Sequence, residues 1–172
     1  MVSSVSRLPI HSCVRYVDSW YRLPENVSLE EGALLEPLSV AIHATRRAEV
    51  VPGCRTLVLG AGAVGMLVAS MLKVMGSSTI VIADIEPKRV EFAIQNKFAD
   101  RGFVVPKTRS VSTEENLEIA KSLAESTGKT LDLDGRAIGE FDVVFECTGV
   151  ETCLQAAIYV SLLMISILEA VY

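Results

Sequence analysis

The sequence predicts an α/β fold built on a doubly wound parallel sheet. Two observations carry that expectation. Short apolar runs rich in branched residues, Thr56–Gly60, Thr79–Asp84 and Asp142–Cys147, suit strands buried on both faces. Between them the apolar pattern changes to that of helices, as over Gly62–Met75. Strands alternating with helices imply right-handed crossovers and hence a parallel sheet.

The elements follow in order. Residues 1–27 read as irregular, with aromatic residues at Tyr16, Trp20 and Tyr21 and a turn near Leu23-Pro24. Ser28 with Glu31 has the spacing of a capping box, which starts a helix. Pro37 suits the first turn of a second helical stretch, in which Leu38, Ala41, Ile42 and Thr45 recur at helical spacing and which Pro52-Gly53 ends. After the first strand, the apolar helix Gly62–Met75 is closed by Gly76. The second strand runs to Asp84, Pro87 opens a helix reaching about Lys97, and a weak third strand lies at Gly102–Val105. Ser112 with Glu115 caps a further helix that Gly128 closes, and Asp142–Cys147 forms the fourth strand. The stretch Ala156–Tyr172 is nearly all apolar, but it is short for a membrane span and contains Glu169. It reads as a buried helix and strand, or as a tail foreign to the fold. There is no internal repeat and no low-complexity stretch.

Composition narrows the function. The chain has 172 residues, half of them apolar, enough for one domain with a real core. Net charge is −5, and Arg46-Arg47 and Lys88-Arg89 are isolated pairs, so no basic stripe points to nucleic acid. Cys13, Cys54, Cys147 and Cys153 form no C-x-x-C pair, which excludes a local zinc ribbon. They read as reduced thiols of a cytoplasmic protein, and Met1–Ile10 lacks the apolar core of a signal peptide.

The strongest chemical signal is Gly60-Ala61-Gly62-Ala63-Val64-Gly65, a G-x-G-x-x-G run that follows a buried strand and opens a helix. That context is the one a Rossmann dinucleotide site requires. Gly60 allows the tight turn, Gly62 lets backbone approach a pyrophosphate, and Gly65 lets the helix pack close to the strand. The helix N-terminus offers N–H groups and the positive end of its dipole to the phosphates. Asp84 ends the second strand about twenty residues later, where an acid accepts hydrogen bonds from the adenosine ribose and repels the extra phosphate of NADP. It also suits the entry to the helix at Pro87, and the two roles can coexist. Arg89, five residues on, is either a lid over the adenosine or a solvated surface residue. Cys147-Thr148-Gly149 ends the fourth strand, where small residues let the nicotinamide half lie against backbone, or it is a plain strand-to-helix turn.

Glu36 interrupts an apolar run, Ala33–Val40. It is either a buried acid held by a partner or metal, or a residue on a polar helix face. The histidines assemble no zinc site: His11 has only Cys13 close by, and His43 lies about two helical turns beyond Glu36. Tyr16, Tyr21 and Tyr159 lack a lysine four residues on, which excludes a short-chain dehydrogenase, and Met66 stands where a P-loop needs lysine.

The run Leu23–Ala44, the glycine turn, Asp84 with Arg89, and Phe145–Glu151 together resemble the zinc-dependent medium-chain dehydrogenases, in the sorbitol and polyol dehydrogenase branch. The resemblance covers roughly residues 14–159. It implies NAD-dependent oxidation of a polyol to a ketose, with a catalytic zinc polarising the hydroxyl. It also implies that Glu36 lies beside the zinc, and that the family is homo-oligomeric with a small-molecule polyol as its partner. On this reading residues 1–53 are a remnant of a GroES-like catalytic domain with its connecting helix, and 54–172 are the NAD-binding domain. The chain is then cut short at both ends, with strands five and six lost and the fourth strand left as an edge that the apolar tail covers at most in part. The alternative is a catalytically inactive nucleotide-binding fragment or interaction remnant without the zinc site.

Overall fold

A computed structural model describes residues 22–107 and 112–167. The chain divides into two compact units, Met1–Leu34 and Leu35–Tyr172.

In the first unit, Val27 N–H donates to the Pro24 carbonyl at 3.0 Å and closes a turn. Helix α1 (Leu29–Ala33) comes next, with the expected capping box. Ser28 Oγ accepts from Glu31 N–H at 3.1 Å, and Glu31 Oε2 accepts from Ser28 N–H at 2.8 Å. Two of the donors that a helix start leaves unpaired are thereby satisfied.

The second unit begins with α2 (Leu35–Arg47), which carries Glu36 in its first turn and Arg46 and Arg47 in its last, both favourable to the helix dipole. Beyond it lie β1 (Arg55–Leu59), α3 (Ala63–Val74), β2 (Thr79–Asp84), α4 (Pro87–Gln95), β3 (Arg101–Val104), α5 (Thr113–Gly128), β4 (Phe141–Glu146), α6 (Glu151–Val160) and β5 (Ser161–Ile167). The strands form one sheet in the order β3-β2-β1-β4-β5, and every pairing is parallel.

Two apolar layers enclose this sheet. Val58, Ile80, Ile82, Val143 and Phe145 pack with Ala41 and Ala44 of α2, Val68, Ala69 and Leu72 of α3, and Ala93 of α4. The alternate strand residues Leu57, Leu59, Val81, Ala83 and Val144 pack with Ala124 of α5 and Ala157 and Val160 of α6. Because successive strand side chains point to opposite faces, a strand covered on both faces must be apolar throughout. All six residues of β2 are buried, which accounts for its uninterrupted sequence.

The chain steps outward from β1 to β2 to β3, then returns to place β4 on the other side of β1. Leu59 stands opposite both Ala83 and Glu146, so the ends of the three central strands are level. The turns after β1, β2 and β4 therefore share one end of the sheet, at the point where strand order reverses. Ligands of open α/β sheets bind in that crevice.

The expectation that β4 is left as an edge is corrected. The chain passes from α6 at Val160 into β5 without a loop, and β5 lies parallel on β4, with Val143–Glu146 facing Met164–Ile167. The register shifts between Phe141 and Val143, where the new strand joins. A fifth strand is thus present, and the backbone groups of β4 find partners in it. The apolar C-terminal stretch is a helix end and a strand as far as Ile167, while residues 168–172 lie outside the described residues. Among the described residues, no helix is long and apolar enough to cross a membrane.

At the other end of the sheet, Arg55 and Asp142 tie the starts of β1 and β4 together. Asp142 Oδ2 accepts from Arg55 N–H at 2.7 Å and from Nε at 3.2 Å, and Oδ1 accepts from Nη2 at 3.1 Å. Arg55 Nη1 also donates to the Ile138 carbonyl at 3.0 Å. Burial pushes the Asp142 carboxyl up. The hydrogen bonds from the Arg55 side chain and backbone, with the guanidinium charge, outweigh it and hold the carboxyl below its ordinary range. A depressed carboxyl stabilises the fold above its unfolded pKa, about 3.9, and that contribution is lost as pH falls through the folded value. The Arg55→Met variant is accordingly expected to lower stability by about 1 kcal/mol at pH 7, as for a partly exposed bidentate pair. It should also flatten the loss of stability below about pH 4. Urea titrations of both proteins between pH 7 and 3 measure both effects.

Candidate dinucleotide-binding site

The glycine turn leaves β1 at Gly60, whose φ of +104° lies in the region that side chains disfavour. Its N–H donates to the Ala83 carbonyl at 2.7 Å, which holds the turn against β2. Gly65, in the first turn of α3, has a separate reason to be glycine. A Cβ there would lie 1.9 Å from the Gly60 carbonyl oxygen. Close approach of helix to strand leaves no volume for a methyl group.

Gly62 differs from both. It is the N-cap of α3, and no side chain caps the helix. A Cβ built at Gly62 would meet nothing within 4 Å. The first N–H to bond back to the cap is that of Met66, at 3.0 Å to the Gly62 carbonyl. Ala63 is exposed and Val64 half-buried. The helix thus opens onto free space through a glycine, with the positive end of its dipole uncovered by side chains.

Asp84 lies beside this turn with its side chain only 7% exposed. Its Oδ2 accepts from Ala61 N–H at 2.7 Å and its Oδ1 from Glu86 N–H at 2.8 Å. The carboxylate therefore fastens the glycine turn to the entry of α4. An ionised carboxylate has about four acceptor positions, so lone pairs remain for further donors. Arg89 Nη1 stands 3.9 Å from Oδ2 and is largely exposed.

On the other flank, Cys147 N–H donates to the Leu59 carbonyl at 2.8 Å and continues the β1–β4 ladder into the turn. A Cβ on Gly60 would come within 3.0 Å of Thr148 Cγ2 and 3.2 Å of the Cys147 carbonyl, so the two turns are in contact. Sequence reasoning misses Glu146, which is 2% exposed. Its Oε1 accepts from Thr148 N–H at 2.7 Å and from the Thr148 hydroxyl, and its Oε2 accepts from Gly149 N–H at 3.0 Å. Thr148 Oγ1 in turn accepts from Val150 N–H at 3.0 Å. Gly149 has φ +68°. The signal in the sequence is an acid that follows the apolar run Val143–Phe145 at the end of the strand, whose burial demands donors from the adjoining turn.

Burial, with the Glu146 charge beside it, pushes the Cys147 thiol up to about 12. Only the thiolate is nucleophilic. Iodoacetamide at pH 8 is therefore expected to leave Cys147 unmodified in the folded chain and to alkylate it in urea, as peptide mass spectrometry would show.

Gly60, Gly62, Gly65, Asp84, Arg89, Cys147, Thr148 and Gly149 thus meet at one end of the sheet. Glu36 stands exposed on the first turn of α2, its carbonyl accepting from the Ser39 hydroxyl at 2.7 Å. His43 is exposed on the same helix, and His11 and Cys13 lie outside the described residues. Hollows of about 450 Å³, beside Lys121 and Tyr159, and about 330 Å³, beside Phe103 and Ile119, include none of these residues.

The chain is 41% identical over 139 residues to sorbitol dehydrogenase of Bos taurus, covering 81% of this chain and 34% of that one. It is 38% identical over 145 residues to the Probable D-xylulose reductase A of Arthroderma otae, covering 84% and 36%. The crystal structure of 2R,3R-butanediol dehydrogenase from Bacillus subtilis superposes with a TM-score of 0.57 at 29% identity, covering 86% of this chain and 38% of that one. The chain belongs to the zinc-dependent medium-chain dehydrogenases, in the sorbitol dehydrogenase branch. No family model matches it. It spans about a third of the length of the curated relatives it matches.

The zinc-dependent members of this family are oxidoreductases that pair a nicotinamide cofactor with zinc, and the residues of this chain fit the two differently. The glycine turn, the open helix start and the flanking Asp84 fit a dinucleotide. Among the described residues, no group of three or more His, Cys, Asp or Glu side chains converges as a metal site would. With Glu36 exposed, the described residues do not by themselves fit the zinc.

Proposed function

We propose that this chain is the NAD-binding part of an NAD-dependent polyol dehydrogenase. In the overall reaction a secondary alcohol of the polyol gives a hydride to the nicotinamide ring and a proton to a base, yielding a ketose and NADH. The observation that carries the reading is the open, glycine-capped start of α3 with Asp84 on its β2 side.

In the proposed complex the pyrophosphate lies on the N–H groups of Ala63, Val64 and Gly65, where the helix dipole favours its charge. Asp84 accepts from the adenosine ribose with its remaining lone pairs, and its charge disfavours a 2′-phosphate, so NAD is preferred to NADP. Arg89, 3.9 Å from Asp84, covers the adenosine side. The nicotinamide half crosses toward β4 and rests on Cys147, Thr148 and Gly149. Residues 1–53, by this reading, are the end of the catalytic domain with its connecting helix, and Glu36 faces the zinc and polyol of the whole enzyme. Residues 54–172 are the nucleotide-binding domain. Cys54, Cys147 and Cys153 are free thiols, in keeping with a cytoplasmic setting.

Titration of the purified chain with NADH, followed by nicotinamide fluorescence with NADPH as control, tests the proposal. Saturable binding that favours NADH is expected. No binding by the folded chain, or preference for NADPH, overturns it.

A further inference from the structure

Two buried carboxylates flank the glycine turn, and they act on backbone. Asp84 on the β2 side holds Ala61 and Glu86. Glu146 on the β4 side holds both N–H groups and the hydroxyl of the turn at Thr148 and Gly149. Asp84 has the reading given above, whereas Glu146 has none. A carboxylate only 2% exposed carries a large desolvation cost, which hydrogen bonds must offset. All three donors found for Glu146 come from one short turn. Its carboxylate therefore fixes the shape of that turn, and through the contact of Thr148 and Cys147 with Gly60 it fixes how the turn meets the glycine loop.

We propose that Glu146 is a positioning residue, whose carboxylate clamps the Cys147–Gly149 turn in the form that receives the nicotinamide half of the dinucleotide. This rests on the proposed function. Glu146 acts through the backbone it holds and does not itself touch the cofactor. A turn held by its own buried carboxylate is ordered in advance, so binding need not bear the cost of ordering it.

The arrangement separates the two halves of the cofactor. The adenosine side belongs to Asp84 and β2, and the nicotinamide side to the turn after β4. A Glu146→Gln variant keeps the shape of the side chain but turns an N–H toward a backbone donor, breaking one arm of the clamp. NADH and ADP-ribose, which lacks the nicotinamide, are then the informative pair. Glu146→Gln is expected to weaken NADH about tenfold while changing ADP-ribose less than about twofold. Equal weakening of both ligands would mark a general structural role and overturn the proposal, as would unchanged NADH affinity. Wild-type chain that binds neither ligand would instead overturn the dinucleotide reading on which the proposal stands. If the variant does not fold, amide exchange in the unaltered chain decides. Thr148 and Gly149 N–H groups protected without ligand support the clamp, and exchange as fast as an open loop refutes it.

Discussion

Replacing Gly65 by alanine is expected to disable the site and destabilise the fold by about 3 kcal/mol or more, at the upper end of overpacking penalties. The added methyl carbon would lie 1.9 Å from the Gly60 carbonyl oxygen and 3.0 Å from its carbon. Both are backbone atoms, so no side-chain rotation relieves the clash. Either α3 moves away from β1 or the turn is rebuilt. Moving α3 opens the layer where Val68, Ala69 and Leu72 pack on Val58. Rebuilding the turn takes Gly60 from its hydrogen bond to Ala83. Urea denaturation reads the stability and NADH titration the binding. Gly62→Ala is the control: a methyl group there meets nothing, so stability is expected to change by less than about 1 kcal/mol. Binding should still fall, because that methyl group occupies the space into which the pyrophosphate is proposed to fit.

Asp84→Asn is expected to reduce both NADH affinity and the preference for NADH over NADPH. The carboxylate does two things at once. It accepts from Ala61 and Glu86 N–H groups, and in the proposed complex it accepts from the ribose. An asparagine amide supplies one oxygen in place of two, leaving a buried N–H facing another donor. Hydrogen bonds to charged groups are worth about 1.5–3 kcal/mol, so stability should fall by about 2 kcal/mol. NADH binding should weaken about tenfold or more, while NADPH, relieved of charge repulsion, should weaken less. Parallel titrations with both dinucleotides measure the ratio. An unchanged ratio would place the ribose elsewhere.

These two residues are legible in the sequence because their signals are local. A glycine triplet between a buried strand and an apolar helix has few other uses, and an acid at the end of the next strand is found by counting. Helix starts at Ser28 and Pro87 are legible for the same reason, since caps depend on neighbours a few residues away. Features that depend on distant pairing are not. Nothing local to Ser161–Ile167 says which strand this run joins, so the edge that the resemblance implies at β4 is settled only by the pairing itself. Glu36 is exposed together with its apolar neighbours Leu34 and Leu35, because α2 is buried only farther along, at Ala41, Ala44 and Thr45. Glu146 escapes sequence reasoning because its partners are the backbone N–H groups of the adjoining turn. Those become visible only once the turn has a conformation.

In the proposed complex a dinucleotide lies across the start of α3, with adenosine toward β2 and nicotinamide toward β4. Amide chemical shifts of the isotope-labelled chain during an NAD titration test this placement most directly. The largest changes are expected on Gly62–Gly65, with smaller ones at Ile85 and Glu86 on one flank and at Thr148 and Gly149 on the other. Saturating NAD that leaves Gly62–Gly65 unmoved, or moves only residues at the opposite end of the sheet such as Arg55 and Ile138, would contradict it.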